Sequence, residues 1–302
     1  MEPALATDNL TCRYGRTEAV SGLTLAVEPG TLFALLGPNG AGKTTTIRTL
    51  MNILRPASGR STVLGVDSRR LGAAQLMTIG YVSENQKLPS WMTVGELLAY
   101  CRPWYPSWDA ALCRKLVTDF DLPMTTKIGR LSRGMRVKAA LVSSLAYRPK
   151  LLVLDEPFSG LDPVVRDDLV RGVLELAGEE QWTVFLSSHD LDEVERLVDA
   201  VGFIDRGALV LTEAFADLHA RFRRVEVTID SVASGAEFVA DPSWIGLQQA
   251  GRLLRFVETR YADGETERRA RAAFSAARVE VFEMTLREIF VAIARDRRVA
   301  RP

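Results

Sequence analysis

Short, continuously apolar runs alternate along the chain with segments whose apolar residues recur at helical spacing. The apolar runs are TLFALLG at 31–37, MTIGYVSE at 77–84, PKLLVLDEP at 149–157 and WTVFLSSHD at 182–190. Runs of this kind are typical of strands that are covered on both faces. Residues 44–54 follow the first run with helical periodicity, and AVGFIDRGALV at 200–210 predicts a terminal strand pair. The pattern therefore predicts an α/β core with a mostly parallel sheet.

Residues 88–128 have a helical pattern that is interrupted by CRPWYPSWD at 101–109. This change of character predicts an inserted helical subdomain of about residues 88–145. The interruption brings together the aromatic residues Trp104, Tyr105 and Trp108. Such rings either fill the core of a small lobe or lie exposed on its surface, where they contact a partner. The pattern leaves both alternatives open.

The pattern changes again after about residue 220, which predicts domains at 1–220 and 221–302. RRVEVTID and RLLRFVETRYADGE are interpreted as strands, with a turn at Asp263–Gly264. TERRARAAFSAA and MTLREIFVAIAR are interpreted as helices. This α+β extension is either a regulatory or binding module or a packing appendage, and the sequence does not choose between them.

The composition excludes several classes of protein. The formal net charge is +0 and the pI about 6.8, which argues against a general nucleic-acid-binding protein. The three cysteines have no metal-ligand spacing, and with two histidines a zinc site is not expected. We expect neither a signal peptide nor a membrane span, because no run has the required apolar length.

GPNGAGKT at 37–44 fits the phosphate-loop pattern and lies between a predicted strand and a predicted helix. Its glycines let backbone amides approach phosphate oxygens. Lys43 places a cation at the β- and γ-phosphates, and the Thr44 hydroxyl is a ligand for Mg²⁺. The expected nucleotide contacts are Asn39, Gly40, Ala41, Gly42, Lys43, Thr44 and Thr45.

Two adjacent carboxylates end the strand LLVLDEP. Asp155 is expected to hold the water shell of the magnesium ion. Glu156 is then free to act as the general base on an attacking water molecule. The alternative is that the two residues only cap the following helix.

A second anion site is indicated at LSRGM, residues 131–135, where Ser132 and Gly134 precede a predicted helix. The phosphate loop, LSRGM, LLVLDEP, SGLD and SSHD occur in that order. Together these motifs resemble the ATP-binding subunit of ABC transporters over roughly residues 5–220. The resemblance implies a P-loop NTPase core with an inserted helical subdomain and a small antiparallel β region, besides the C-terminal α+β appendage.

The resemblance also implies roles for single residues. Two subunits pair head to tail, so Ser132 and Gly134 contact the ATP of the opposite subunit. Tyr14 stacks on adenine, although a lone tyrosine is otherwise more often part of a core. His189 contacts the γ-phosphate, and Asp162 belongs to a loop that communicates across the dimer.

Two positions depart from the family pattern. Glu84 stands where the family often has glutamine, and it is expected to ligate Mg²⁺ directly or through water. Gln86 is the less favoured occupant of that role. Arg133 stands where the family has glycine, and it either adds a cation near the phosphates or points to solvent.

The resemblance implies a magnesium-dependent ATPase that energises a separate integral membrane permease, in an exporter-type system. The second ATPase subunit is another copy of this chain or a homologous one, and no nucleic acid is expected. The protein is expected in the cytoplasm, bound through the permease to the inner face of the cell membrane. The alternative is a soluble ABC-type ATPase that acts on the ribosome or on DNA.

Overall fold

The computed structural model describes residues 2–84, 86–192, 194–195, 198–229, 241–274 and 276–299. The chain divides into two compact units, Met1–Thr212 and Glu213–Pro302. The predicted boundary at residue 220 falls inside the second unit. Residues 230–240, 275 and 300–302 of the predicted extension lie outside the described residues. No helix within the described ranges is long and apolar enough to cross a membrane.

Strands and helices alternate through the first unit. The strands are β1 (Leu5–Tyr14), β2 (Thr17–Val27), β3 (Leu32–Leu36), β4 (Ser58–Val63), β5 (Val66–Asp67), β6 (Ile79–Ser83), β7 (Leu151–Asp155), β8 (Thr183–Ser188), β9 (Ala200–Asp205) and β10 (Ala208–Ala214). The helices are α1 (Lys43–Leu50), α2 (Ala73–Leu76), α3 (Val94–Cys101), α4 (Ala110–Asp119), α5 (Arg133–Leu145) and α6 (Pro163–Glu179). α1 ends earlier than its predicted limit at residue 54, because the chain turns at Asn52 with φ of 57°.

A central sheet has the strand order β10-β9-β3-β8-β7-β6. The neighbours from β9 to β6 are parallel. β7 and β8 are buried along their whole length, and Phe33 of β3 stacks on Phe185 of β8 at a centroid distance of 5.6 Å. The prediction of an α/β fold with a mostly parallel sheet is therefore confirmed.

A second sheet, with the order β2-β1-β4-β5, is antiparallel. Its apolar face joins the same core as the central sheet, where Leu5 and Leu23 pack in one cluster with Ile47 of α1 and Phe33. The small antiparallel region thereby supports the helix that follows the phosphate loop.

The helical segment predicted at about residues 88–145 contains α3, α4 and α5. Thr93 begins α3 with a capping box to Glu96, and the Asp109 carboxylate caps α4. The aromatic residues differ in burial, and the contact of the exposed ones with a partner stays a prediction. Tyr105 stacks on buried Tyr147 at a centroid distance of 3.8 Å, whereas the Trp104 residue is 59% exposed.

The second unit is an antiparallel sheet with helices. Its elements are α7 (Phe215–Arg221), β11 (Arg223–Ile229), β12 (Trp244–Ala250), β13 (Leu253–Glu258), α8 (Glu265–Phe274), β14 (Ala276–Phe282) and α9 (Leu286–Val299), and the strand order is β12-β13-β11-β14. Trp244, Phe256 and Phe274 form the centre of its core. The predicted turn at Asp263–Gly264 is confirmed, and it leads into α8.

Candidate active site

The side chains that the sequence singles out follow the carboxyl ends of four neighbouring parallel strands. β3 leads into the phosphate loop, β6 into Glu84 and β8 into His189, and β7 ends at Asp155. The Glu84 amide donates to the Asp155 carbonyl at 2.8 Å, and the Glu156 amide donates to the Ser187 hydroxyl at 3.0 Å. Ligand sites of open α/β sheets form at this edge.

The phosphate loop packs so closely on its neighbours that two of its positions require glycine. A Cβ on Gly37 would lie 2.2 Å from the carbonyl oxygen of Ile204, and one on Gly42 would lie 2.6 Å from that of Ala19. Gly42 has φ of 110° and begins α1 without a side-chain cap. The first amides of α1 have no partner within the helix and can bind an anion.

The Lys43 ammonium is buried in the loop. It donates hydrogen bonds to the carbonyl oxygens of Gly37 at 2.6 Å and of Pro38 at 3.1 Å. Nζ also lies 3.0 Å from Oε1 of Glu156. This oxygen has no hydrogen bond of good geometry within the described part of the chain, so its contact with Lys43 is an attraction between charges. A buried cation beside backbone amides fits a triphosphate.

The Asp155 carboxylate is held by two hydroxyl groups. Thr44 Oγ1 and Ser187 Oγ each donate to Oδ1 at 2.9 Å. Burial raises the pKa of Asp155; the two hydroxyl donors oppose this effect, and the charge of Glu156 adds to it. Hydroxyl and carboxylate oxygens are ligands that Mg²⁺ accepts. The sequence analysis did not anticipate Ser187, although it lies in the quoted run SSHD.

The seven predicted loop contacts line one cavity of about 170 Å³, together with Ala19, Glu84 and Glu156. Among the described residues, no group of three or more His, Cys, Asp or Glu side chains could hold a metal ion. Mg²⁺ usually takes one or two carboxylates and completes its shell with water and phosphate oxygens. The residues present therefore fit a magnesium ion that arrives with a nucleotide.

Glu156 lies between a cation and an imidazole. Its Oε2 is 2.7 Å from Nδ1 of His189, opposite the contact of Oε1 with Lys43. Its backbone has φ of 49°, a conformation that is uncommon for a residue with a side chain and costs about 1–3 kcal/mol. The adjacent carboxylates thus have different surroundings, as different chemical roles require.

The residues of the predicted second anion site line another cavity. Ser132 begins α5 and its hydroxyl accepts a hydrogen bond from the Met135 amide at 3.2 Å. Ser132, Gly134, Gly160 and Asp162 lie in the wall of a cavity of about 340 Å³. None of these four residues lines the phosphate-loop cavity. The two predicted anion sites, one at the phosphate loop and one at Ser132 and Gly134, therefore line separate cavities of one chain. Each of them is called a half-site below.

The two departures from the family pattern contact each other. Nη2 of Arg133 lies 3.2 Å from Oε1 of Glu84. Arg133 thus contacts a residue that lines the phosphate-loop cavity, and its side chain is 45% exposed. Gln86 Oε1 accepts from the Ser83 amide at 3.4 Å, and Gln86 does not line the phosphate-loop cavity.

Tyr14 ends β1 and its residue is 46% exposed. The alternative that it belongs to the core is therefore wrong. It does not line the phosphate-loop cavity. An exposed aromatic ring remains available to stack on a base.

Two family models match parts of the chain. A family model described as "ABC transporter" matches residues 20–159. A second model, described as "AAA domain, putative AbiEii toxin, Type IV TA system", matches residues 125–195.

Two curated relatives and one solved structure match a larger share of the chain than either family model. The chain is 34% identical to the bacitracin transport ATP-binding protein BcrA of Bacillus licheniformis, over 74% of this chain and 74% of that protein. It is 36% identical to the daunorubicin resistance ATP-binding protein DrrA3 of Streptomyces coeruleorubidus, over 72% and 69%. A structure described as the ATP-binding subunit of an ABC transporter superposes with a TM-score of 0.64 at 26% identity, over 72% of this chain and 92% of that one.

Proposed function

The chain belongs to the ATP-binding subunits of ABC transporters, and from this premise we propose that two copies pair head to tail around ATP and energise a separate membrane permease. The chain is an ATPase, as its family is. The observation that carries the proposal is the separation of the two half-sites. The hydrolytic groups line one cavity and the Ser132 turn lines another, so a second copy completes each site.

The residues of the phosphate-loop cavity take distinct roles in this proposal. Lys43 and the amides of residues 39–45 bind the phosphates. Thr44, Asp155 and Glu84 hold the magnesium ion, which when bound neutralises charge on the phosphate oxygens. Glu156 takes the proton of the attacking water, and its contact with Lys43, 3.0 Å from Oε1, is replaced by a contact of Lys43 with the phosphates.

The remaining roles concern positioning and the opposite subunit. His189 orients the Glu156 carboxylate, to which it lies 2.7 Å away, and it contacts the γ-phosphate. Ser132 and Gly134 bind the ATP of the opposite copy, Asp162 communicates across the dimer, and Tyr14 stacks on adenine. The second subunit is a copy of this chain or a homologous one.

The permease contacts the inserted helical segment. Trp91, Tyr100 and Trp104 are large, exposed side chains of this segment, and exposed aromatic residues favour a protein interface. We place the chain on the inner face of the cell membrane through this contact. A relative named Nod factor export ATP-binding protein I, from Paraburkholderia xenovorans and 34% identical to this chain, supports an exporter-type system.

The test is the dependence of ATPase activity on protein concentration. If two copies form the site, specific activity rises with concentration and then saturates. Full activity in a strictly monomeric preparation would contradict the proposal.

The partner is tested by purifying a tagged chain from detergent-solubilised membranes. We expect an integral membrane protein to co-purify and the Trp104→Ser variant to lose it. Recovery of ribosomes or DNA instead would favour the alternative of a soluble ATPase, and a Glu18→Gln variant is a control remote from the helical segment.

A further inference from the structure

The Glu84–Arg133 ion pair connects the walls of three cavities. Glu84 lines the phosphate-loop cavity and also a cavity of about 350 Å³ beside α5. Arg133 lines this second cavity and also the cavity of Ser132 and Gly134. The pair is therefore a direct side-chain contact between the two half-sites of one subunit.

Both partners are anchored by their neighbours. The Glu84 amide is bound to the Asp155 carbonyl at 2.8 Å, which ties its backbone to the strand that carries a predicted magnesium ligand. The guanidinium of Arg133 lies against Gly160, where a Cβ would be 2.9 Å from Nη1. Gly160 lines the cavity of Ser132 and Gly134, so the guanidinium lies between that cavity and the Glu84 carboxylate.

The pair is too exposed to be explained as a source of stability. The side chains are 45% exposed for Arg133 and 37% for Glu84, and ion pairs of this kind contribute little to folding. A carboxylate that borders a cation site is a ligand for that cation. The same carboxylate cannot fully serve the guanidinium and the metal ion together.

We propose that Arg133 and the magnesium ion of the bound nucleotide compete for the Glu84 carboxylate. Magnesium binding at the phosphate loop then releases Arg133 toward the cavity of Ser132 and Gly134, where the opposite copy's triphosphate lies. Nucleotide binding at the phosphate loop of a subunit thereby prepares the half-site at Ser132 and Gly134 of the same subunit for the opposite copy's triphosphate. This inference rests on the proposed function, because it uses the nucleotide of the phosphate loop.

The proposal makes predictions of opposite sign for the two partners. Removing Arg133 frees Glu84, so less Mg²⁺ is needed for nucleotide binding. Removing Glu84 takes away a ligand, so more Mg²⁺ is needed. In a chain that lacks Glu84, the further loss of Arg133 should change the Mg²⁺ concentration needed for nucleotide binding only a little. General damage to the site would instead raise this concentration in every variant.

The experiment measures binding of a non-hydrolysable ATP analogue by calorimetry, and the readout is the Mg²⁺ concentration at half-maximal binding. Arg133→Gln is expected to lower this concentration about two- to fivefold, the range of an exposed ion pair. Glu84→Gln is expected to raise it, and the double variant to match Glu84→Gln. Lys87→Gln is the matched control, because Lys87 lines the same cavity and loses the same charge without being the partner of Glu84.

Two outcomes separate this inference from the proposed function. If the analogue binds but Arg133→Gln and Lys87→Gln have the same Mg²⁺ requirement, the competition is refuted and the ATP-binding function stands. If the wild-type chain binds no analogue, both proposals fail.

Discussion

The Lys43 ammonium lies 3.0 Å from the Glu156 carboxylate, and both groups are buried. The ammonium contacts one oxygen of the carboxylate that we propose as the general base, and His189 Nδ1 lies 2.7 Å from the other oxygen. A triphosphate in the loop attracts the same ammonium. We propose that phosphate binding draws Lys43 toward the triphosphate and leaves the Glu156 carboxylate, still in contact with His189, open to the attacking water.

Glu156→Gln tests this assignment. The amide keeps the shape of the side chain but cannot take a proton, so turnover should fall by about 10²–10⁴-fold. ATP binding should persist, and light scattering should show an ATP-dependent dimer that does not decay. Glu179→Gln, an exposed change at the end of α6 that precedes the amino end of β8, should release phosphate at the wild-type rate. Undiminished release from Glu156→Gln would refute the base assignment.

Ser132→Ala tests the second half-site. The hydroxyl caps α5, so its loss should cost about 1 kcal/mol of folding stability. A lost contact to a charged phosphate should in addition reduce turnover by about 10–100-fold. Phosphate release and urea unfolding measure the two effects.

Thr93→Ala is the control for the Ser132 variant. Thr93 caps α3 in the same way, with its hydroxyl accepting from the Glu96 amide at 3.2 Å. It should lower stability by about the same amount, ~1 kcal/mol, without the loss of turnover. Equal turnover in both variants would show that Ser132 serves only as a helix cap.

Asp155→Asn should abolish turnover and stabilise the fold. Burial raises the pKa of Asp155 above its ordinary value of 3.8, so the folded chain binds this proton more tightly than the unfolded chain. The wild type therefore loses stability as pH rises from that value through the folded pKa. The advantage of the variant should grow over this range, as measured by urea unfolding without nucleotide.

Asp109→Asn should show the opposite dependence. Hydrogen bonds from the Leu112 amide, from Arg148 and from the Ala111 amide hold the pKa of Asp109 below its ordinary value. The stability that the ionised group contributes is present above the unfolded pKa and is lost as pH falls through the folded pKa. This variant should therefore be less stable than wild type at neutral pH, with a difference that shrinks in acid. The same sign for both variants would contradict the burial argument for Asp155.

The sequence predicted the parts of the site that depend on strand ends. The runs before Gly37, Asp155 and His189 are buried strands, and parallel strands bring their carboxyl ends to one edge. The sequence did not predict the contact between Glu84 and Arg133. These residues are 49 positions apart, and only the packing of α5 beside β6 brings them together.

The second unit was predicted less well. β12 and β14 were not anticipated, because β12 is mostly exposed and β14 follows a helix without a long apolar run. The turn at Asp263–Gly264 was recognised as a turn, but its sequence does not determine whether a strand or a helix follows. β11 pairs with both β13 and β14, which are distant from it in the sequence. This pairing determines which segments of the second unit form strands.

Arg269→Met should destabilise the second unit. Glu258 is fully buried in its core, and its Oε2 accepts hydrogen bonds from Arg269 at 2.7 Å and from Trp244 at 3.0 Å. Removing the guanidinium leaves a buried carboxylate without its counter-ion, at a cost of about 3–5 kcal/mol in urea unfolding. Adding Glu258→Gln should recover much of that loss, because the remaining donors then face a neutral acceptor. Arg268→Met removes only an exposed pair with Glu265 and should have little effect; an equal loss in both single variants would refute the role of the buried charge.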